Sequence, residues 1–256
     1  MRRQAEDRSE AIELKSPADI EVMRRGGRIL HDVLDLLAEH ARPGVTTLEL
    51  DRIARAEIER HGSVPAFLGL YGFPGTLCIS VNEEIVHGIP GPRVLQDGDI
   101  VSLDCGLVKD GFYLDSARTV PVGRVDAASL RLIQVTEESL EIGIEFCRPG
   151  VRLGDLSAAI QRHIEKAGMG VVREYTGHGI GRRLHEEPKI PNYGTAGKGV
   201  RFQAGMVLCV EPMVNLGTHQ TRTLGDKWTV VTADGSRSAH VEHTIAITPE
   251  GPLVLT

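Results

Sequence analysis

The sequence has only four cysteines, Cys78, Cys105, Cys147 and Cys209, and no two form a C-x-x-C pair. They stand in apolar surroundings, as in VLCVEP around Cys209, and read as buried free thiols of a reducing compartment. No apolar run approaches the roughly 20 residues of a membrane-spanning helix. The opening MRRQAEDRSE lacks the apolar stretch of a signal peptide and reads as a polar tail over residues 1–12, ahead of one domain over 13–256. A cytoplasmic location is the expectation. The basic excess of a dedicated nucleic-acid binder is missing too. The net charge is -6, whereas phosphate contacts need clustered Lys and Arg. What is present is an ordinary globular composition, 41% hydrophobic and 25% charged, in 256 residues. Such a chain can bury a full core without covalent staples.

The chain repeats itself. RPGV occurs at Arg42–Val45 and again at Arg148–Val151, each copy between two helical patterns. Before the first copy, Ser16 is a predicted N-cap and Pro17 the first helical residue. After it, Thr46 and Glu49 form a predicted capping box and Gly62 a stop. The helices that follow the two copies match in register: Leu50 with Leu156, Ile58 with Ile164, Glu59 with Glu165, Gly62 with Gly168. Downstream each half has an H-x-x-P (His87–Pro90 and His185–Pro188), then a Gly, an apolar run and a carboxylate. Those carboxylates are Asp104 and Glu211. A second one follows in each half, Asp115 in YLDSARTV and Glu242 in HVEHTIAIT. Two copies are too few for a solenoid. The pattern predicts a duplicated α/β unit with halves at about 13–125 and 126–256, packed around a pseudo-twofold axis. Asp104 then faces Glu211, and Asp115 faces Glu242.

Four converging carboxylates must protonate unless positive charge sits between them. Two divalent cations would balance them charge for charge. An oxygen-rich set with one imidazole suits Mn, Fe or Co, and zinc less exclusively. His178, in TGHGIGRRLHEEP, is the candidate imidazole, and Gly177, Gly179 and Gly181 are read as letting its backbone approach the site. Read singly, Asp104 or Asp115 is a strand-end cap or turn residue. The repeat-matched set, within apolar strands where a lone charge is costly, is what points to metal. His31, His40, His61 and His163 fall on predicted helices and read as surface or packing residues. His219 falls in a polar loop. His240 and His243 flank Glu242, and strand alternation turns His243 to the opposite face.

The stretches CISVNEEIVHGIP (78–90), VSLDCGLVKDGFYLDSART (101–119), TGHGIGRRLHEEP (176–188), VLCVEPMVN (207–215) and VEHTIAIT (241–248) together resemble the type I methionine aminopeptidases. The resemblance implies the α+β pita-bread fold, two related halves with a curved antiparallel sheet covered by helices. It implies a dinuclear site for Fe, Mn or Co, with zinc as a further candidate. Asp104 would chelate one ion, His178 and Glu211 the other, and Asp115 and Glu242 would bridge both. A bridging water of lowered pKa would attack the scissile carbonyl, with Glu211 as proton shuttle. His87 would stand near the scissile nitrogen, and His185 would stabilise the oxyanion. Taken singly, His87 and His185 read as satisfied loop histidines; their matched H-x-x-P positions across the repeat favour a facing pair.

The implied activity is removal of the N-terminal methionine from nascent chains with a small second residue. Transient contact with the ribosome is expected as well. By position, the methionine pocket would be Phe67, Leu70, Phe73, Cys78, Leu184 and Trp228. Trp228 is the one tryptophan of the chain. The family often has tyrosine at the position of Leu70 and phenylalanine at that of Leu184, so this pocket keeps an apolar wall with less aromatic contact. Prolidase and aminopeptidase P share the fold and ligands but carry a large preceding domain, for which Asp104 comes too early. Type II methionine aminopeptidases insert a helical segment where only 33 positions separate His178 from Glu211 here. A non-enzymatic binding protein on this scaffold would lack ligands that this chain keeps. A minimal, bacterial-like form is the expectation.

Overall fold

The computed structural model describes residues 11–256. The tail expected over 1–12 falls outside the described residues as far as residue 10, and Ile12 packs against the core of the second half. Four helices form where the sequence carries local start signals. Helix α1 (Pro17–His40) opens on a capping box, in which Ser16 accepts from the Asp19 N–H and Asp19 accepts from the Ser16 N–H. Helix α2 (Thr47–Arg60) opens on the same device with Thr46 and Glu49. Asp126 caps α3 (Ala127–Glu145), and α4 (Leu153–Lys166) follows the second RPGV.

The two RPGV turns make matched contacts. Gly44 N–H donates to the Leu95 carbonyl at 2.9 Å, and Gly150 N–H to the Phe202 carbonyl at 2.9 Å. Leu95 and Phe202 return the bond to Val45 and Val151, each at 2.8 Å. Each helix pair is therefore tied to its own half by the same backbone pattern.

Two antiparallel sheets position the site. In the first half, the Ile100–Lys109 strand pairs with Leu77–Val81 on one side and with Phe112–Pro121 on the other. In the second, the order is Gly251–Val254, His243–Thr248, Val207–Val210, Gly177–Gly179, Glu186–Ile190. Helix α1 lies across the first sheet through Met23, Leu30, Val33, Leu34 and Leu37, which with Gly26 and Gly27 recur three and four apart and are fully or almost fully buried. Each such side chain contributes about 1.5–3 kcal/mol of transfer free energy. Gly26 and Gly27 face inward on the same helix. A Cβ on Gly27 would stand 2.0 Å from the Leu255 carbonyl oxygen, so the segment just after the last strand crosses where this helix has no side chain.

The sheets meet edge to edge. Ala117 and Glu242 exchange backbone hydrogen bonds. Thr119 Oγ1 donates to the His240 carbonyl at 2.8 Å, and Ser116 Oγ to the Glu242 carbonyl at 2.8 Å. Thr244 Oγ1, fully buried, donates to the Asp115 carbonyl at 2.7 Å and accepts from the Asp115 N–H at 3.1 Å. The strands that carry the two bridging candidates of the sequence reading are thus fastened to each other.

Candidate metal centre

Strand register explains the convergence. Asp104 lies opposite Ala117, and Asp115 opposite Gly106. Side chains two positions apart on adjacent strands share a face, so both carboxylates point the same way. In the second sheet His178 and Thr244 both lie opposite Cys209. Glu211 and Glu242, two residues from Cys209 and Thr244, share that face by parity. One cavity of about 240 Å³ is lined by Asp104, Asp115, His178, Glu211 and Glu242 at its polar end. Its wall is Phe67, Leu70, Phe73, Cys78, Leu184 and Trp228, and His87 and His185 line it too. Every residue singled out from the sequence therefore reaches the same cavity.

The electrostatics are those of an uncompensated anionic cluster. Burial pushes Asp104 up to about 7. Burial and then the Glu242 charge hold Asp115 well above the usual carboxylate range. Burial and then Asp115 do the same to Glu211, and burial and then Glu211 to Glu242. Oδ1 of Asp104 and of Asp115 and Oε1 of Glu242 are buried without a hydrogen-bond partner among the described residues. Orphaned oxygens in a carboxylate cluster are the donor set of a hard or borderline divalent cation.

His178 is oriented for the same purpose. Its Nδ1 contacts the Gly179 carbonyl at 2.9 Å, which fixes the tautomer and leaves Nε2 with a free lone pair. Nε2 faces Glu211 Oε1 at 3.6 Å and Asp115 Oδ2 at 3.9 Å. Two donors each about 2.1 Å from one ion stand roughly 3–3.5 Å apart, so these spacings suit a shared cation with a small contraction. Burial lowers the imidazole to about 4, which keeps it neutral, the form that ligates.

The glycines around His178 have a different cause from the one expected. GHG is a buried strand. A Cβ on Gly177 would stand 2.2 Å from the Cys209 carbonyl oxygen, and one on Gly179 would stand 2.3 Å from the Glu187 carbonyl oxygen. These glycines admit neighbouring backbone, and it is the strand pairing that then delivers His178 to the carboxylates.

Cys209 also comes close. One donor atom each from Asp115, His178, Cys209 and Glu242 lie within 4.8 Å of one another. The thiol is not part of the cavity wall, and burial followed by the Glu242 charge pushes it well above its ordinary range. It sits behind the carboxylates as a protonated filler near Thr244 Oγ1, at 3.6 Å.

His87 and His185 stand on irregular backbone. His87 has φ 61, a left-handed conformation rare for a residue with a side chain, and its ring meets Tyr175 edge-on at 5.5 Å. Burial lowers it to about 4. His185 is exposed, with its ring edge-on to His178 at 4.6 Å, and partial burial lowers its pKa as well. In the apolar wall, Phe73 and Trp228 make an edge-to-face pair at 5.1 Å.

The sequence reading passed over His240. It lines the cavity, is 1% exposed, and its Nε2 stands 3.8 Å from Glu211 Oε2. Strand parity with Glu242 was the available signal: the alternation that turns His243 away turns His240 inward. His243 does lie on the other face, with Nδ1 3.1 Å from Thr256 Oγ1.

A pita-bread fold with an acidic, imidazole-containing cluster at the base of an apolar cavity defines a class of metallopeptidase. A family model described as Metallopeptidase family M24 matches residues 21–249, and the chain belongs to that family. Within it, the chain is 54% identical to a methionine aminopeptidase of Clostridium perfringens, over 96% of this chain and 98% of that one. Among solved structures, a methionine aminopeptidase from Rickettsia prowazekii superposes with a TM-score of 0.95 at 43% identity, over 96% and 100% of the two chains. The prolidase from Pyrococcus furiosus shares the fold, with a TM-score of 0.78 at 21% identity, and this chain covers 65% of it. No helix of the described residues is long and apolar enough to cross a membrane.

Proposed function

We propose that this chain removes the N-terminal methionine from peptides and nascent polypeptides, with preference for a small second residue. The carrying observation is that one cavity holds both the acidic cluster and the apolar wall. The carboxylates and His178 would hold two divalent ions: Asp104 on one, His178 and Glu211 on the other, Asp115 and Glu242 between them. Bound there, the ions supply Lewis acidity and a water of lowered pKa. Mn, Fe or Co fits the oxygen-rich donors, and zinc remains a candidate.

The other roles belong to side chains. Phe67, Leu70, Phe73, Cys78, Leu184 and Trp228 take the thioether side chain, and the substrate's free α-amine near the metal site fixes which bond is presented. Glu211 takes the proton of the attacking water and returns it to the leaving amine. His87, neutral because burial lowers it, faces the scissile nitrogen. His185 donates to the oxyanion as charge develops there. The matched RPGV contacts support a single catalytic domain over 13–256 built from two related halves. Action on nascent chains places the protein in the cytoplasm near the ribosome exit, with a transient contact that co-sedimentation at low salt would detect.

Hydrolysis of Met-Ala-Ser, Leu-Ala-Ser and Ala-Pro-Ala, with and without added Mn, Fe or Co, tests the activity. Metal-dependent release of methionine alone is expected. Cleavage of the proline peptide would move the chain to the prolidase side of the fold. Inertness with a full metal load would make it a binding protein on an enzyme's scaffold.

A further inference from the structure

The third glycine of GHGIG points away from the cavity to a lysine near the start of the chain. A Cβ on Gly181 would stand 2.2 Å from Lys15 Cε. Lys15 is 6% exposed, and lysine is rarely buried without a partner. Its ammonium pairs with the carboxylate of Glu186, both side chains being 3% exposed. The lysine is itself fixed: its N–H donates to the Gly205 carbonyl at 2.7 Å, and Nζ donates to the Glu13 carbonyl at 3.2 Å.

Glu186 directly follows His185. Its Oε1 accepts from the Arg183 N–H at 3.1 Å, which closes the turn carrying Leu184 and His185. Between the Gly177–Gly179 and Glu186–Ile190 strands this loop has no regular structure of its own. Two further ties run from the loop to the first half, beside the Ile180 N–H bond to the Val207 carbonyl at 3.0 Å. The Arg182 guanidinium lies 3.7 Å from the Phe112 ring centroid and 3.6 Å from Asp19 in the first turn of α1. The Gly181 carbonyl accepts from Tyr113 N–H at 2.8 Å. A buried ion pair recovers little net stability, because both charges must be desolvated. What it does supply is a fixed geometry, and here the geometry is that of the loop holding His185 and one wall of the pocket.

We propose that Lys15 is a positioning residue for the reaction, acting through Glu186 to hold the 180–185 loop so that His185 meets the substrate. The inference rests on the role given to His185 above. Three variants test it. Lys15→Met keeps the apolar stem but leaves Glu186 unpaired. Lys15→Met with Glu186→Leu removes both charges together. Glu186→Gln keeps the shape and the acceptor for Arg183, and serves if the first two do not fold.

In a folded variant with wild-type metal content, kcat for Met-Ala-Ser is expected to fall about 10-fold or more, with KM within about 3-fold. The imidazole NMR signals of His185 are expected to shift. Adding His185→Ala should then cost less than about 2-fold more, because both changes disable one group. Unmoved His185 signals with kcat within about 2-fold of wild type would overturn the proposal and leave the pair a stability feature. Full turnover in His185→Ala alone would instead remove the role given to His185. The NMR signals would still decide whether Lys15 holds the loop.

Discussion

Asp104, Asp115, Glu211 and Glu242 each gain a proton more readily in the folded, metal-free chain than in the unfolded one. Burial raises Asp104 to about 7, and burial with repulsion from neighbouring carboxylates raises Asp115, Glu211 and Glu242. A carboxyl with a raised folded pKa binds more protons in the native state, so stability falls as pH rises from its unfolded value through its folded one. Below about pH 6.5 the buried histidines, whose pKa values burial lowers, oppose this term; above it, metal-free protein is expected to lose stability between about pH 7 and about pH 8.5, which denaturant midpoints after chelation would measure. Metal uptake has to displace those protons. Proton release on titration with Mn, detected as a dependence of the heat on buffer ionisation, should grow as pH falls below about 7, while affinity weakens. Equal midpoints and no proton release would mean that the cluster is already ionised and balanced. Asp115→Asn tests the bridge itself. The amide keeps the shape but not the charge, so elemental analysis after dialysis should find fewer than two ions per chain and kcat should fall at least about 100-fold.

At the scale of elements, helix α1 offers a change whose sign runs against propensity. Alanine for glycine in an exposed helix interior is worth about 1 kcal/mol in stability. Gly27 faces inward, and a Cβ there would stand 2.0 Å from the Leu255 carbonyl oxygen. Gly27→Ala is expected to destabilise by about 1–3 kcal/mol as the Leu255–Thr256 segment is displaced, read as a lowered denaturation midpoint. A stabilised variant would show that the segment is free to move. The same helix shows which parts of the fold were legible in the sequence. Ser16 with Pro17 at the start of this helix, and Thr46 with Glu49 at the start of α2, act within one turn, so their pattern is local and readable. The repeat pointed to the convergence of the four carboxylates on one cavity because it equated positions far apart in the chain. The glycines around His178 were misassigned because their neighbours, the Cys209 and Glu187 carbonyls, come from other strands. Lys15 and Glu186, 171 residues apart, leave no local trace at all. His240 was legible by strand parity and went unread, since attention fell on which histidine turns away.

For the molecule as a whole, the site exists only where the two halves join. Asp104 and Asp115 come from the first sheet, and His178, Glu211 and Glu242 from the second side of the seam. Neither half holds the full set of residues proposed as ligands. The seam is not a continuous ladder but a few bonds, and Thr244 is central to it. Its hydroxyl satisfies both the carbonyl and the N–H of Asp115, at 2.7 and 3.1 Å, from the opposite sheet. Thr244→Val keeps the volume and strands both backbone groups of a residue proposed to bridge two ions. Leaving a buried polar group unpaired costs about 1–3 kcal/mol, so a loss of that order or more is expected in denaturant unfolding. The diagnostic is the link between stability and metal. If the seam sets the spacing of the cluster, chelator competition should show weaker metal binding in Thr244→Val, and added Mn should restore less of its midpoint than in wild type. If the midpoint falls while metal affinity is unchanged, the halves are held in register by other contacts and Thr244 contributes only to folding.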